Sequence, residues 1–149
     1  MIASLLAALA AIAAGTNTDN SKFKGISMRN SCRDAVEKNK KAFPNILGNA
    51  KLISSDKFER LIIGRTLSYR TIDGNLTLTY PRETFFSGGK YLYNGTRFSA
   101  SKTYSFQNGI ITVTGDLFIG SIRAILMNDE DNLFMMTCNE GGGIYQILP

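Results

Sequence analysis

The sequence predicts a mainly β protein, an antiparallel barrel-like or sandwich domain of about eight strands preceded by two short helices. Three observations predict it. The dipeptides Asp73-Gly74, Asn94-Gly95 and Asn108-Gly109 each join segments in which apolar and polar residues alternate, the signature of a hairpin. Apolar residues at helical spacing are confined to the chain before Gly64. The 14 Gly, 9 Phe and 6 Tyr suit turns and half-buried strands better than a helix bundle.

The first element is Met1–Ala14, an apolar run without a charged side chain that turns polar at Thr16. With Ala11-Ile12-Ala13 as a small-x-small site, residues 1–15 read as a signal peptide cleaved after Ala13, Ala14 or Gly15. The run is shorter than the roughly 20 apolar residues of a spanning helix. No Lys or Arg follows Met1, so an uncleaved anchor and an ordinary Ala-rich helix are the alternative readings. Cleavage would leave residues 16–149 as a single periplasmic or secreted domain with no transmembrane segment, its helices lying within 28–63. Two cysteines in an exported chain predict a Cys32–Cys138 disulfide tying an N-terminal helix to a late strand. In a cytosolic chain they would be buried free thiols.

Residues 31–43 read as a helix with a Ser31-x-x-Asp34 capping pattern. Met28, Cys32, Ala35, Val36 and Phe43 share its apolar stripe, and Pro44 ends it. Asp34 with Lys38 and Glu37 with Lys41 are spaced for i,i+4 pairing. A second helix runs from about Asp56 to Ile63, capped by Ser54 or Ser55, with Phe58, Leu61 and Ile62 on its apolar face. A type I′ turn at Asp73-Gly74 would pair Thr71 with Leu76, Tyr69 with Leu78 and Leu67 with Tyr80. The same rule sets Tyr91 opposite Phe98, and Phe106 and Tyr104 opposite Ile111 and Val113. Leu117–Met127 reads as a long strand, residues 128–132 as a polar turn, and Leu133–Cys138 and Ile144–Leu148 as the last strands around a Gly141–Gly143 turn.

With no His in the chain, Ser-His and Cys-His nucleophilic catalysis and H-E-x-x-H zinc chemistry are excluded. The expectation is a non-enzymatic protein without a cofactor or metal. The acidic turn Asp129, Glu130 and Asp131 lacks the spacing of a calcium loop. Ser54-Ser55-Asp56-Lys57 matches S-x-x-K, but Lys102-Thr103 is followed by Tyr104 and no K-T-G partner forms. Asn75-Leu76-Thr77 and Asn94-Gly95-Thr96 have the form of glycosylation sequons at turns. The positive excess lies in residues 22–60, with ten Lys or Arg against four acids. Lys38, Lys40 and Lys41 are therefore candidate contacts to an anionic surface, weighed against a solvated helix face. No nucleic-acid motif accompanies them.

The stretch Phe58 to Thr66, the Asp-Gly hairpin and the late Cys138 resemble features of small exported bacterial β-barrel proteins of unknown function. Ser87-Gly88-Gly89-Lys90-Tyr91 is similar to the S-G-x-x-Y loop of the periplasmic C-type lysozyme inhibitors. That resemblance implies a partner-binding loop with Ser87 entering the lysozyme cleft, Tyr91 beside it and Lys102 as the downstream basic residue. The two N-terminal helices, with Cys32 in a helix, depart from that family. Three functions follow as expectations: an envelope protein binding a small apolar ligand or a protein partner, a lysozyme-type inhibitor, and a small hydrolase using carboxylates such as Glu83 and Asp116.

Overall fold

The computed structural model describes residues 31–114, 122–138 and 143–148. The expected signal peptide, Met28, Asp116, the start of the strand expected from Leu117, and Gly141-Gly142 lie outside them. Helix α1 covers residues 31–42. Pro44 then opens a short helix, α2 (Pro44–Leu47), at a position where its missing N–H costs nothing. Strand β1 (Lys51–Leu52) separates it from α3 (Ser55–Leu61), whose N-cap Ser54 accepts a hydrogen bond from the Lys57 amide at 3.3 Å. Eight strands follow: β2 (Thr66–Thr71), β3 (Thr77–Phe85), β4 (Lys90–Asn94), β5 (Ser99–Gln107), β6 (Ile110–Thr114), β7 (Ile122–Met127), β8 (Leu133–Thr137) and β9 (Ile144–Leu148).

Each of these eight strands pairs antiparallel with the next, and β9 returns to β2, so they close an up-and-down barrel. Closure leaves no free edge in the ring. Strand β1 is the one addition: it pairs with β7 through Lys51–Met127 and Leu52–Leu126, just where β6 has parted from β7 after Ile110–Ala124.

The apolar residues divide between the two faces of the wall. Inside lie Leu67, Phe85, Ile111, Val113, Ile125 and Ile147, joined by Phe58 of α3 and its C-cap Ile62, the helix lying across one end of the barrel. Phe58 stacks on Phe106 with centroids 4.0 Å apart and meets Phe85 and Tyr104 edge-on. Outside, Cys32 and Val36 of α1 and Leu47 of α2 pack on Ile122, Ala124, Leu126, Phe134 and Met136, residues of β7 and β8 that face away from the lumen. The Cys32–Cys138 disulfide, with Cα atoms 4.7 Å apart, fastens α1 there. The expected stripe of Cys32, Ala35, Val36 and Phe43 is thus the packed face. The ion pair on this helix is Glu37 with Lys40 at 3.9 Å, one residue short of the Glu37–Lys41 spacing.

The hairpins hold to different degrees. Asn108-Gly109 forms the expected turn, with both residues at positive φ and Phe106–Ile111 and Tyr104–Val113 paired. At Asp73-Gly74 the pairing Tyr69–Leu78 stands, but only Gly74 has positive φ, so the turn is not type I′. The Asp73 carboxylate instead accepts from the Thr71 hydroxyl at 2.5 Å and the Asn75 amide at 3.0 Å, a local turn of the Asx kind. These bonds, Thr71 first, hold its pKa below the usual value. Farther from the turn the ladder shifts: Leu67 faces Glu83, not Tyr80. Pro81 offers no N–H to the ladder, and the residues around it bulge out, leaving Tyr80 exposed. At Asn94-Gly95 the loop is four residues long, Gly95 to Phe98, so Tyr91 faces Lys102 and not Phe98. A shift of four is even, so Tyr91 still points inward.

Candidate functional site

Eight strands give a lumen that side chains nearly fill. Toward α3 they are aliphatic and aromatic; toward the opposite mouth the lining becomes polar. The β2–β3 register shift turns Glu83 inward, and β4 and β7 bring Tyr91 and Arg123 to it. The Glu83 carboxylate accepts from both the Tyr91 hydroxyl and the Arg123 guanidinium through Oε2. Arg123 also reaches the Tyr91 hydroxyl at 3.4 Å and lies over its ring, 5.8 Å from the centroid. Tyr69 completes the group, its buried hydroxyl lying against the Glu83 carboxylate.

Glu83 is 3 % exposed and Arg123 9 %, so the pair sits in a medium that penalises an unmatched charge. Its effects on neighbours follow. Burial, then the Glu83 charge, pushes both Tyr69 and Tyr91 above the usual tyrosine pKa, keeping them neutral hydrogen-bond donors. Burial alone would lower Arg123; the Glu83 carboxylate and the two phenols more than reverse this and raise it.

Above the cluster, at the mouth away from α3, is a cavity of about 330 Å³. Glu83, Arg123 and Tyr69 contribute to its lining, with Leu78, Tyr93 and Met135 among the apolar walls. The β2–β3 and β4–β5 turns at this end expose Leu76 and Phe98, and Tyr80 and Tyr145 are exposed beside the cavity. At the other end α3 lies between two depressions, a cleft of about 690 Å³ and a groove of about 430 Å³.

The sequence-expected residues are dispersed. Ser87 is exposed in the β3–β4 turn and lines the smaller groove with Ser55, Glu59 and Tyr104. Tyr91 is 2 % exposed inside the barrel, bonded to Glu83, with Lys102 its cross-strand neighbour on β5. Ser87 and Tyr91 therefore do not form one surface. Lys38 and Lys41 are exposed on α1 and Lys40 is half-buried, on the outside of the wall. Cys32 and Cys138 form the disulfide. Ser54 is a helix cap, as the local sequence suggests. Glu83 is engaged by Arg123 and Tyr91, and Asp116 lies outside the described residues. In the acidic turn, Asn128 organises the backbone: its side chain accepts from the Glu130 and Asn132 amides and donates to the Ile46 carbonyl. Among the described residues no group of His, Cys, Asp and Glu is placed to hold a metal, and no helix is long and apolar enough to cross a membrane.

Sequence reasoning missed the roles of Tyr69 and Arg123. The available signals were an Arg in an otherwise apolar strand, Ile122-Arg-Ala-Ile-Leu-Met127, and a Glu after a strand-breaking Pro. No protein-family model, curated protein or solved structure matches the chain, so the fold and the geometry of the barrel interior carry what can be said of function.

Proposed function

We propose that the chain is an exported, non-enzymatic barrel that binds a small molecule in its open mouth, the ligand having a largely apolar body and one hydrogen-bonding group. The observation that carries this reading is the mouth cavity of about 330 Å³ bottoming on the buried Glu83–Arg123–Tyr91–Tyr69 cluster. Binding cavities combine apolar walls with a few convergent polar groups and span roughly 300–1,000 Å³, so this one fits a compact ligand. Tyr69 places its hydroxyl at the floor beside Glu83, and Leu76, Tyr80, Phe98 and Tyr145 supply an apolar approach. The disulfide supports an oxidising, exported setting.

The test is the native and denatured mass of the protein recovered from the envelope fraction of its host. The expected native species lacks residues 1–13 to 1–15 and two hydrogens, and carries a small adduct lost on denaturation. A full-length reduced chain dismisses export. An adduct retained at the same occupancy in Leu78→Trp, which fills the cavity, dismisses the mouth as its site, and no adduct at all dismisses a resident ligand.

The inhibitor reading has Ser87, exposed at a turn, as its support at the surface. Inhibition of lysozyme lost in Ser87→Ala would favour it over the mouth. Inhibition that survives the substitution, or none in the intact protein, removes it.

A further inference from the structure

We infer that the cleft beside α3 is a second binding site, built for an amphipathic anion with a carboxylate or phosphate head and an apolar chain. It adjoins α3 and shares no lining residue with the mouth cavity. Four cations from two elements and the segment joining them meet there: Lys57 and Arg60 of α3, Arg65, and Arg70 of β2, with Asp131 as the acid. None of the four forms an ion pair among the described residues. Two of them, Arg65 and Arg70, are held by neutral groups instead. Arg70 Nη2 donates to Gln146 Oε1 at 2.7 Å, and Gln146 Nε2 donates to Asn132 Oδ1 at 3.2 Å. Arg65 Nη2 reaches the Arg60 carbonyl at 3.5 Å. Arg70 Nε is buried with no partner.

Neutral acceptors fix the Arg65 and Arg70 guanidinium groups without cancelling their charge. Like charges gathered around a concave, low-dielectric surface repel one another and focus a positive field, which an entering anion relieves. The fork of an arginine matches both oxygens of a carboxylate or phosphate. The remaining walls are apolar, with Leu61, Leu133 and Ile147 among them, and about 690 Å³ is far more than an inorganic ion needs. Head and chain therefore both find their complement. Lys57 and Arg60 belong to the basic N-terminal third of the sequence, so part of that charge excess is gathered in this cleft, away from the α1 face that carries Lys38, Lys40 and Lys41.

Calorimetric titration of the disulfide-bonded protein with dodecanoate, dodecyl phosphate, dodecanol and inorganic phosphate, all below micelle formation, tests this. The expected result is saturable binding of a single molecule of either anionic amphiphile, with dodecanol and inorganic phosphate weaker by about tenfold or more. The tighter of the two amphiphiles identifies the head group, and either order supports the site. Arg60→Gln/Arg65→Gln, both exposed in the native fold, should weaken the amphiphiles by about tenfold or more without moving the ligand-free melting midpoint. Tyr69→Phe, in the lining of the mouth and not of the cleft, should leave them unchanged, which separates this site from the mouth. The inference falls if no amphiphile binds, if dodecanol binds as tightly as dodecanoate, if the double variant binds normally, or if binding occurs only to vesicles of anionic lipid.

Discussion

Glu83 and Arg123 carry opposite charges into an interior that is otherwise aromatic and aliphatic. Each is tolerable there because of the other. Glu83→Leu should cost about 3–5 kcal/mol in denaturant unfolding, because it strands the Arg123 charge, whereas Glu83→Leu/Arg123→Met should recover most of that loss. Equal losses in the single and double variants would show that the two side chains are not energetically coupled. The neighbouring phenols give a pH test. Tyr69 and Tyr91 are raised above the ordinary value of 10.0, so their contribution is complete below the unfolded-state pKa and is lost as pH rises beyond it. Stability should therefore fall above about pH 10, and the tyrosinate absorbance of these two residues should appear only with unfolding. Two tyrosines titrating freely in the native protein would contradict the burial of this cluster. None of this was legible residue by residue. The sequence offers Glu83 as a hydrolase carboxylate beside Asp116, and Arg123 is 40 positions away on a strand that does not adjoin its own.

Short-range chemistry made several elements legible. The α3 cap, its Phe58–Leu61–Ile62 face and the Asn108-Gly109 hairpin all depend on residues a few positions apart. Ser54→Ala should cost about 1 kcal/mol through the lost cap, read by thermal unfolding. Gly109→Ala should cost more than the roughly 1 kcal/mol of an unstrained exchange. Gly109 holds φ at 83°, and a Cβ there would lie 2.6 Å from Leu52 Cβ. A melting midpoint unchanged by Gly109→Ala would mean that the β5–β6 turn and β1 are not packed as described. Registers far from a turn were not legible, because each depends on how many residues the partner strand spends bulging. The extra residues around Pro81 reset the β2–β3 ladder, and a four-residue loop reset β4–β5. At β4–β5 face survived where register did not, whereas at β2–β3 the odd shift put Glu83 inside and Tyr80 outside. Tyr91 points inward under both pairings, but its place beside Glu83 rather than in a surface loop follows only from the closed ring.

At the scale of the molecule, alternation announced a barrel or sandwich and closure decided for the barrel. What alternation could not announce is that the wall is apolar on both faces around β7 and β8, where α1 and α2 cover the outside. Removing the disulfide by Cys32→Ser/Cys138→Ser should cost about 2–5 kcal/mol in thermal unfolding. The β-sheet signal in circular dichroism should persist, since every strand pairing of the ring is independent of α1. Loss of that signal at ordinary temperature would show that the helix is required for closure. The division has a further consequence for the life of the chain. Before the cysteines join, only apolar packing would hold α1 to the ring, and wherever it lifted it would bare Ile122, Ala124, Leu126, Phe134 and Met136 as an apolar patch on one side of the barrel. The covalent bond works less as reinforcement than as a seal on the outside of the vessel.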